Sequence, residues 1–144
     1  MARRSAAVER WFRAVEPPSE QAMRRVREII LGAHPSMSER VQYGVTFSSS
    51  RSGDFAAFVR YRDRDVNLRL HRGGRLTGRY PHLAGTTAKR MRIADLNEAN
   101  ARAAEITAMV REWCALGAAA RKPKRTASTG PRRTVTARRA SADR

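Results

Sequence analysis

The side chains best suited to chemistry in this sequence are polar residues that a predicted β-hairpin brings together. Four of them fall on one side of it: Arg60, Asn67, Arg69 and His71. They share a side because alternate residues of a strand, and their neighbours across a hairpin, point the same way. Guanidinium, amide and imidazole groups donate hydrogen bonds to anions. The pattern favours an anion-binding face, and the alternative is an ordinary solvated sheet surface.

The segment after the hairpin, RGGRLTGRYPHLAGTTAK, extends this basic region. Together with the residues just beyond it, it supplies Arg72, Arg75, Arg79, His82, Lys89, Arg90 and Arg92. Backbone N–H groups beside glycines approach phosphate oxygens closely, which suits a phosphate-binding loop. The cationic side chains of Lys89 and Arg92 are therefore included in the candidate anion-binding face. The glycine spacing is not that of a Walker loop. The alternative is a turn-rich connection with solvated arginines.

Patterns typical of catalysis or metal binding are missing from the sequence. The chain has three histidines and one cysteine: His34, His71, His82 and Cys114. Their spacing matches no metal site, and serines 48–50 stand near no histidine–carboxylate pattern. A pocket around Tyr43, Arg69 and His71 would be the place for proton transfer, but it has no matched base and nucleophile. We therefore expect a non-catalytic protein without a cofactor.

The formal net charge of +17 is concentrated towards the C-terminus. Residues 117–144 contain nine basic residues and one acid, Asp143; the candidate nucleic-acid-binding tail comprises Arg121, Lys122, Lys124, Arg125, Arg132, Arg133, Arg138 and Arg139. Without periodic apolar residues, this segment is predicted to be disordered. Cationic pairs on a flexible chain suit sequence-independent contact with phosphates. The tail predicts nucleic-acid association, and a solubilising or regulatory extension is the alternative.

Two helices are predicted in the N-terminal third. The first spans residues 5–15, with Ser5 as its cap and a proline pair after it. The second is capped by Ser19 and ends near Gly32. Its apolar face contains Met23, Val26, Ile29 and Ile30, and its polar face contains Arg24, Arg25, Arg27 and Glu28. A single turn is predicted at residues 38–42.

Beyond residue 45 the hydrophobic period changes to two, which indicates strands. In DFAAFVRY, one face has Phe55, Ala57, Val59 and Tyr61, and the other has Ala56, Phe58 and Arg60. DVNLRLH alternates in the same way, and the polar link at 62–64 predicts a hairpin. A short strand near 90–93 follows. A capping box from Asp95 to Glu98 then opens one long helix, which ends at Gly117.

Compartment and packing follow from composition. The single cysteine excludes an internal disulfide and favours a reducing compartment. No stretch approaches the ~18–20 apolar residues of a membrane span, and charged residues interrupt any signal-peptide core. We expect a cytoplasmic protein with no membrane association. Tyr43 and Trp11 are expected in the core, and Cys114 as a packed thiol.

Three blocks of the chain resemble one known family. They are RVREIILGAHPSMSERVQYGVTF, FAAFVRYRDRDVNLRLHRG and HLAGTTAKRMRIADLNEANARAAEITAMV. In this order, across residues 20–115, they look like the YdhG-like family, also called domain of unknown function 1801. The resemblance implies an antiparallel sheet covered by helices, similar in outline to frataxin. One member type is regarded as a frataxin-like iron chaperone. The chain departs from the pattern at Thr46, where the family usually has proline.

The sequence therefore predicts an α+β fold in which N- and C-terminal helices cover one face of an antiparallel sheet. A helical extension (1–18), a YdhG-like domain (19–116) and the basic tail (117–144) are expected, with Val66, Leu68, Leu70, Ile106 and Val110 buried together. The predicted function is non-catalytic binding, with the tail providing sequence-independent nucleic-acid association and a small anion as a further ligand. The alternative is a frataxin-like carrier of iron or a small ligand. The arginines of the second helix disfavour iron, because they repel cations.

Overall fold

The computed structural model describes residues 4–86 and 88–121, and within this part of the chain a five-stranded antiparallel sheet forms the centre of the molecule. The strands are β1 (Met37–Val41), β2 (Val45–Ser49), β3 (Gly53–Val59), β4 (Val66–Leu70) and β5 (Arg90–Ile93). The helices are α1 (Ala6–Val15), α2 (Glu20–Ala33), α3 (Leu96–Ala101) and α4 (Ala103–Arg121), and a 3-10 turn covers Gly73–Arg75. Each strand pairs with the next along the chain.

The hydrophobic core lies between the helices and one face of the sheet, as predicted. Five residues from the strands and α4 were expected to be buried together, and all are: Val66, Leu68, Leu70, Ile106 and Val110. The α+β class and the helical cover of the sheet are confirmed. Helix α1 shares this core, because Val8 and Phe12 are fully buried in it. Its predicted start is also confirmed, since the Ser5 hydroxyl accepts a hydrogen bond from the Ala7 N–H at 3.1 Å. The cap predicted for α2 is wrong, because the Ser19 side chain makes no capping hydrogen bond.

Two predictions at the N-terminal end are wrong, and they have one cause. Residues 38–42 were predicted as a turn but form most of β1, and Arg27 was predicted on a polar face but is only 1% exposed. Glu39 points from β1 into the core, where its carboxylate accepts two hydrogen bonds from Arg27 at 2.8 and 2.7 Å. Because the charged Glu39 occupies a core position, the two-residue hydrophobic period of MSERV is not visible in the sequence. Its partner Arg27 is also charged, so the sequence pattern assigned it to the exposed face of α2.

The network around Arg27 ties α1 to α2. Glu9 on α1 accepts hydrogen bonds from Arg27 and from Arg24, and Arg24 also binds Glu20 at 2.8 Å. The hydrogen bond from Arg27 is the main cause that lowers the pKa of Glu9 below its usual value, in opposition to burial. The backbone N–H of Ser5 donates to Glu39 at 2.7 Å. Two of the arginines predicted for the polar face of α2 therefore hold the fold together.

A bulge interrupts the strict alternation predicted for β3. The register shifts between Phe47 and Ser48 of β2, which pair with Ala56 and Asp54 respectively. Phe55 is the extra residue, and it is buried together with its neighbour Ala56. Its ring lies 6.4 Å from that of Trp113 on α4. A bulge interrupts the alternation of side chains along a strand, so that two consecutive residues can both be buried.

The C-terminal helical region differs from the predicted single helix in two places. The Asp95 cap is confirmed, since the Glu98 N–H donates to Asp95 at 2.9 Å, but the Glu98 carboxylate accepts from the Ala94 N–H and not from that of Asp95. The helix is also broken at Arg102 into α3 and α4. At the other end, α4 continues past Gly117, the predicted stop. This glycine permits a close approach: a Cβ there would lie 2.6 Å from the carbonyl oxygen of Arg51. Residues 122–144 of the tail, which were predicted to be disordered, lie outside the described part of the chain.

Candidate anion-binding site

Two arginines face each other across the strands β4 and β5. Arg69 is directly opposite Arg90 in the antiparallel register, and Asn67 is opposite Arg92. All four lie on the face of the sheet that the helices leave uncovered, because the alternate residues Leu68 and Met91 point into the core. The guanidinium groups of Arg69 and Arg90 are exposed, and no carboxylate among the described residues pairs with either. Like charges directly opposite each other destabilise a sheet.

Beside this pair lies an open groove of about 750 Å³. Its walls come from the β3–β4 turn, from the outer face of β4 and β5, and from the loop before β5. The lining residues, which we call the arginine groove, are Arg60, Asp63, Arg64, Asp65, Asn67, His82, Ala84, Arg90 and Arg92. Four guanidinium groups and two carboxylates thus share one concave surface, which leaves an excess of positive charge.

The two carboxylates of the groove neutralise only part of this charge. Asp63 binds Arg60 at 3.0 Å, and Asp65 binds Arg92. Arg64 and Arg90 have no carboxylate partner in the described part of the chain. Both side chains are exposed, so their hydrogen-bond donors are directed to solvent and remain available to an oxyanion.

The other half of the uncovered face is electrically balanced. Arg40 on β1 reaches across β2 to Asp54 on β3, and the two side chains form a bidentate pair at 2.9 and 3.0 Å. The hydrogen bond from Arg40 is the main cause that lowers the pKa of Asp54. The free positive charge of this face is therefore confined to β4, β5 and the adjoining turn.

The structure separates the predicted anion-binding residues into two groups. Arg60, Asn67 and Arg92 line the groove, with Arg69 beside them through its partner Arg90. The other two, His71 and Lys89, lie at the opposite end of β4: His71 follows the strand and is close enough to Asp54 to lower its pKa. Lys89 packs its aliphatic carbons near Gly73. The sequence thus placed four of the six residues in one region.

The pocket considered for proton transfer does not form. Tyr43 lies in the β1–β2 turn and His71 follows β4, and the antiparallel order of the strands puts these positions at opposite ends of the sheet. Tyr43 was also expected in the core, but it is 95% exposed. Trp11 is half-buried and packs against the core through Phe12. Arg69 therefore has neither Tyr43 nor an aligned nucleophile beside it.

The groove wall formed by the β4–β5 loop is held in place by α4, a contact that no local sequence pattern predicted. Glu112 accepts hydrogen bonds from the N–H and hydroxyl of Thr77, from the Gly78 N–H and from the Tyr80 hydroxyl. Burial would raise the pKa of Glu112, but these hydrogen bonds outweigh it and lower the pKa. Two turns earlier on α4, Glu105 accepts hydrogen bonds from the backbone and ring of His82. The loop is thereby fixed against α4 on both sides of Tyr80.

The histidines and the cysteine do not converge. The His34 ring accepts from the Ser36 N–H at 3.1 Å, and His82 binds Glu105. Cys114 is the packed thiol that was predicted, 1% exposed and in contact with Met37. Within residues 4–86 and 88–121, no three His, Cys, Asp or Glu side chains are grouped so that they could hold a metal ion.

Two further observations complete the description of the site. None of the helices in the described residues is long and apolar enough to cross a membrane. Comparisons with protein-family models, with curated proteins and with solved structures found no match to this chain. The resemblance to the YdhG-like family stays a prediction. Of the candidate tail, only Arg121 falls within α4; Lys122, Lys124, Arg125, Arg132, Arg133, Arg138 and Arg139 lie outside the described residues.

Proposed function

We propose that this protein binds nucleic acid through its phosphate backbone, without sequence preference, and that the arginine groove and the basic tail act together. The proposal concerns binding and not catalysis. Its ligand is a polyanion, because the free positive charge extends over a groove, a neighbouring strand pair and a long basic segment. A single small anion would occupy only part of that surface.

The observation that supports this proposal best is the Arg69–Arg90 pair. Side chains directly opposite on antiparallel strands have Cβ atoms about 4.5–5.5 Å apart, and like charges at this separation disfavour the folded state. A phosphate between the two guanidinium groups would accept hydrogen bonds from both and remove the repulsion. No described carboxylate pairs with Arg69 or Arg90, and a phosphate from another molecule is the partner that the proposal assigns to them.

The geometry also favours binding without base recognition. The groove is lined by arginines on turns and on a flat sheet face, and it presents no helix that would enter the major groove. Contacts from arginine to phosphate fix position but carry no sequence information. The nine cations in residues 117–144 have the same chemistry. We therefore expect affinity to depend on ionic strength and length rather than on sequence.

The test uses the full chain and double variants that each remove two positive charges. Arg69→Gln/Arg90→Gln removes both charges of the cross-strand pair. The control Arg13→Gln/Arg51→Gln removes two exposed arginines outside the groove. Fluorescence anisotropy with a labelled DNA duplex measures the affinity at several salt concentrations. We expect the groove variant to lower the magnitude of the salt slope by about 1.8, which corresponds to two phosphates, and the control to change it less.

An unchanged affinity and slope in the groove variant would remove the folded domain from the proposal. Equal losses in the groove variant and in the control would show that only total charge matters. Both outcomes would contradict a specific role for the Arg69–Arg90 pair.

A further inference from the structure

A cluster of aromatic residues lies at the end of the sheet where the β1–β2 and β3–β4 turns meet. The rings of Trp11 and Tyr61 pack edge to face, with centroids 5.2 Å apart. Gly44 lies against the Tyr61 ring, since a Cβ on Gly44 would be 3.6 Å from that ring. Tyr43, the residue before Gly44, therefore lies in the turn that adjoins Tyr61, and it is 95% exposed. We call Trp11, Tyr43 and Tyr61 the aromatic end.

Tyr43 occupies a position that does not stabilise the fold. Its φ angle is +53°, in the left-handed region, which is unfavourable for a bulky side chain. Its ring is 95% exposed, so it gains nothing from burial. A turn of this kind, whose next residue is Gly44 at φ +112°, is typically built from glycine, asparagine or aspartate. The presence of tyrosine here indicates a use for an exposed ring.

Arginines adjoin the aromatic end and continue into the arginine groove. The guanidinium group of Arg62 lies over the Tyr61 ring, 5.9 Å from its centroid. Arg62 and Arg64 are exposed and have no carboxylate partner among the described residues. Both belong to the β3–β4 turn, and this turn supplies Arg60, Asp63 and Arg64 to the groove wall. Aromatic rings and phosphate-binding cations therefore lie on the two sides of one turn.

We propose that the aromatic end is a stacking site for unpaired bases, so that the protein binds single-stranded nucleic acid more tightly than duplex. Proteins that bind single strands without sequence preference combine a positively charged groove with aromatic side chains on which bases stack. A duplex keeps its bases stacked on each other and offers none to Tyr43, whereas a single strand offers a base for every phosphate. This inference rests on the proposed function and adds the class of strand.

The test compares two strands that differ only in their bases. One is an oligothymidylate, and the other is an abasic strand of the same length with the same number of phosphates. Anisotropy titrations use the full chain and the variants Tyr43→Ala and Tyr43→Phe. The parent chain should bind the thymidylate strand more tightly than the abasic one. Tyr43→Ala should reduce this preference roughly 5- to 150-fold, the range expected for stacking of one base.

Two controls separate stacking from other effects of the substitution. Tyr43→Phe keeps the ring, so it should retain the preference, and the affinity of Tyr43→Ala for the abasic strand should equal that of the parent. The intrinsic fluorescence of Trp11 should be quenched by the thymidylate strand and not by the abasic strand, and Trp11→Phe should lose that change.

The outcomes distinguish this inference from the proposed function. If the parent binds both strands equally, phosphate binding stands and the stacking site is wrong. If Tyr43→Ala keeps the full preference for thymidylate, Tyr43 is not the stacking residue and the inference also fails. If neither strand binds at low salt, the proposed function itself fails.

Discussion

Arg27 is the largest of the fully buried side chains, although it carries a permanent charge. Its guanidinium group is enclosed by the carboxylates of Glu39 and Glu9 and lies 5.7 Å from the centroid of the Phe12 ring. The hydrogen bond with Glu39 is the main cause that raises the pKa of Arg27 above its usual value. A buried ion pair adds little net stability compared with a packed apolar pair, but the loss of one partner leaves an uncompensated charge.

We expect the substitution Arg27→Met to lower the free energy of unfolding by about 3–5 kcal/mol, because Glu39 would remain buried and unpaired. The double variant Arg27→Met/Glu39→Met should recover most of this loss, since it buries two apolar groups instead. Urea denaturation followed by circular dichroism measures both values.

The matched control for this prediction is Arg25→Met, on the same helix but exposed. It should change stability by less than about 1 kcal/mol, as most surface substitutions do. If Arg27→Met were as mild as Arg25→Met, the network of Arg27 with Glu39 would contribute nothing to the fold.

At the scale of elements, α4 shows how a glycine can serve packing inside a helix. Gly117 is buried where the helix crosses the β2–β3 loop, and the Ser52 hydroxyl donates to the carbonyl of Trp113 at 2.6 Å. A side chain at 117 would meet the backbone of Arg51. Glycine has a lower helical propensity than alanine, but its lack of a side chain allows the helix to lie this close to the loop.

We expect Gly117→Ala to destabilise the protein, although alanine is favoured over glycine in a helix by about 1 kcal/mol. The added methyl group would lie 2.1 Å from the Ser52 hydroxyl oxygen and 2.6 Å from the Arg51 carbonyl oxygen, so the loop would have to move. Thermal unfolding measures the change.

Gly32 provides the matched control, because it lies in α2 and a Cβ there has no neighbour within 4 Å. Gly32→Ala should stabilise the protein by up to about 1 kcal/mol. Stabilisation by both substitutions would contradict the close contact of α4 with the β2–β3 loop.

Periodicity predicted most of the elements, because most core positions are apolar. It located α1, α2, the hairpin of β3 and β4, β5 and the Asp95 cap before α3. It failed at β1, where Glu39 takes a core position, and at Gly117, where a tertiary contact and not the end of the helix explains the glycine. Each failure depends on a partner distant in sequence, such as Arg27 for Glu39, and local patterns do not report such partners.

At the scale of the whole molecule, the positive charge of the uncovered sheet face is unevenly distributed. The helical side of the fold pairs its acids with arginines in the network of Glu9, Glu39 and Arg27, and one half of the uncovered sheet face is balanced by Arg40 and Asp54. The groove and the β4–β5 face keep free cations. A polyanion bound as we propose would be attracted to this half of the sheet face.

The candidate site was only partly predictable for a related reason. Alternation on β4 and β5 identified Asn67, Arg69 and Arg92 as neighbours. The groove wall that contains His82 and Ala84 depends on how the β4–β5 loop is held by Glu105 and Glu112, and these contacts join residues more than twenty positions apart. The exposure of Tyr43 depends on the geometry of a three-residue turn, which the sequence pattern of an aromatic next to a glycine did not predict.

The most direct test of the central claim is the salt dependence of nucleic-acid binding by the full chain. The affinity is measured by anisotropy for two single strands of equal length and unrelated base sequence, between 50 and 300 mM salt, over which the Debye length shortens steadily. Each neutralised phosphate contributes about −0.7 to the slope of log K against log salt for single strands, so contact with about seven phosphates gives a slope near −5. We expect a linear plot with a slope of this size and the same affinity for both strands. A slope near zero, or an affinity that differs tenfold between the two sequences, would contradict electrostatic binding without sequence preference.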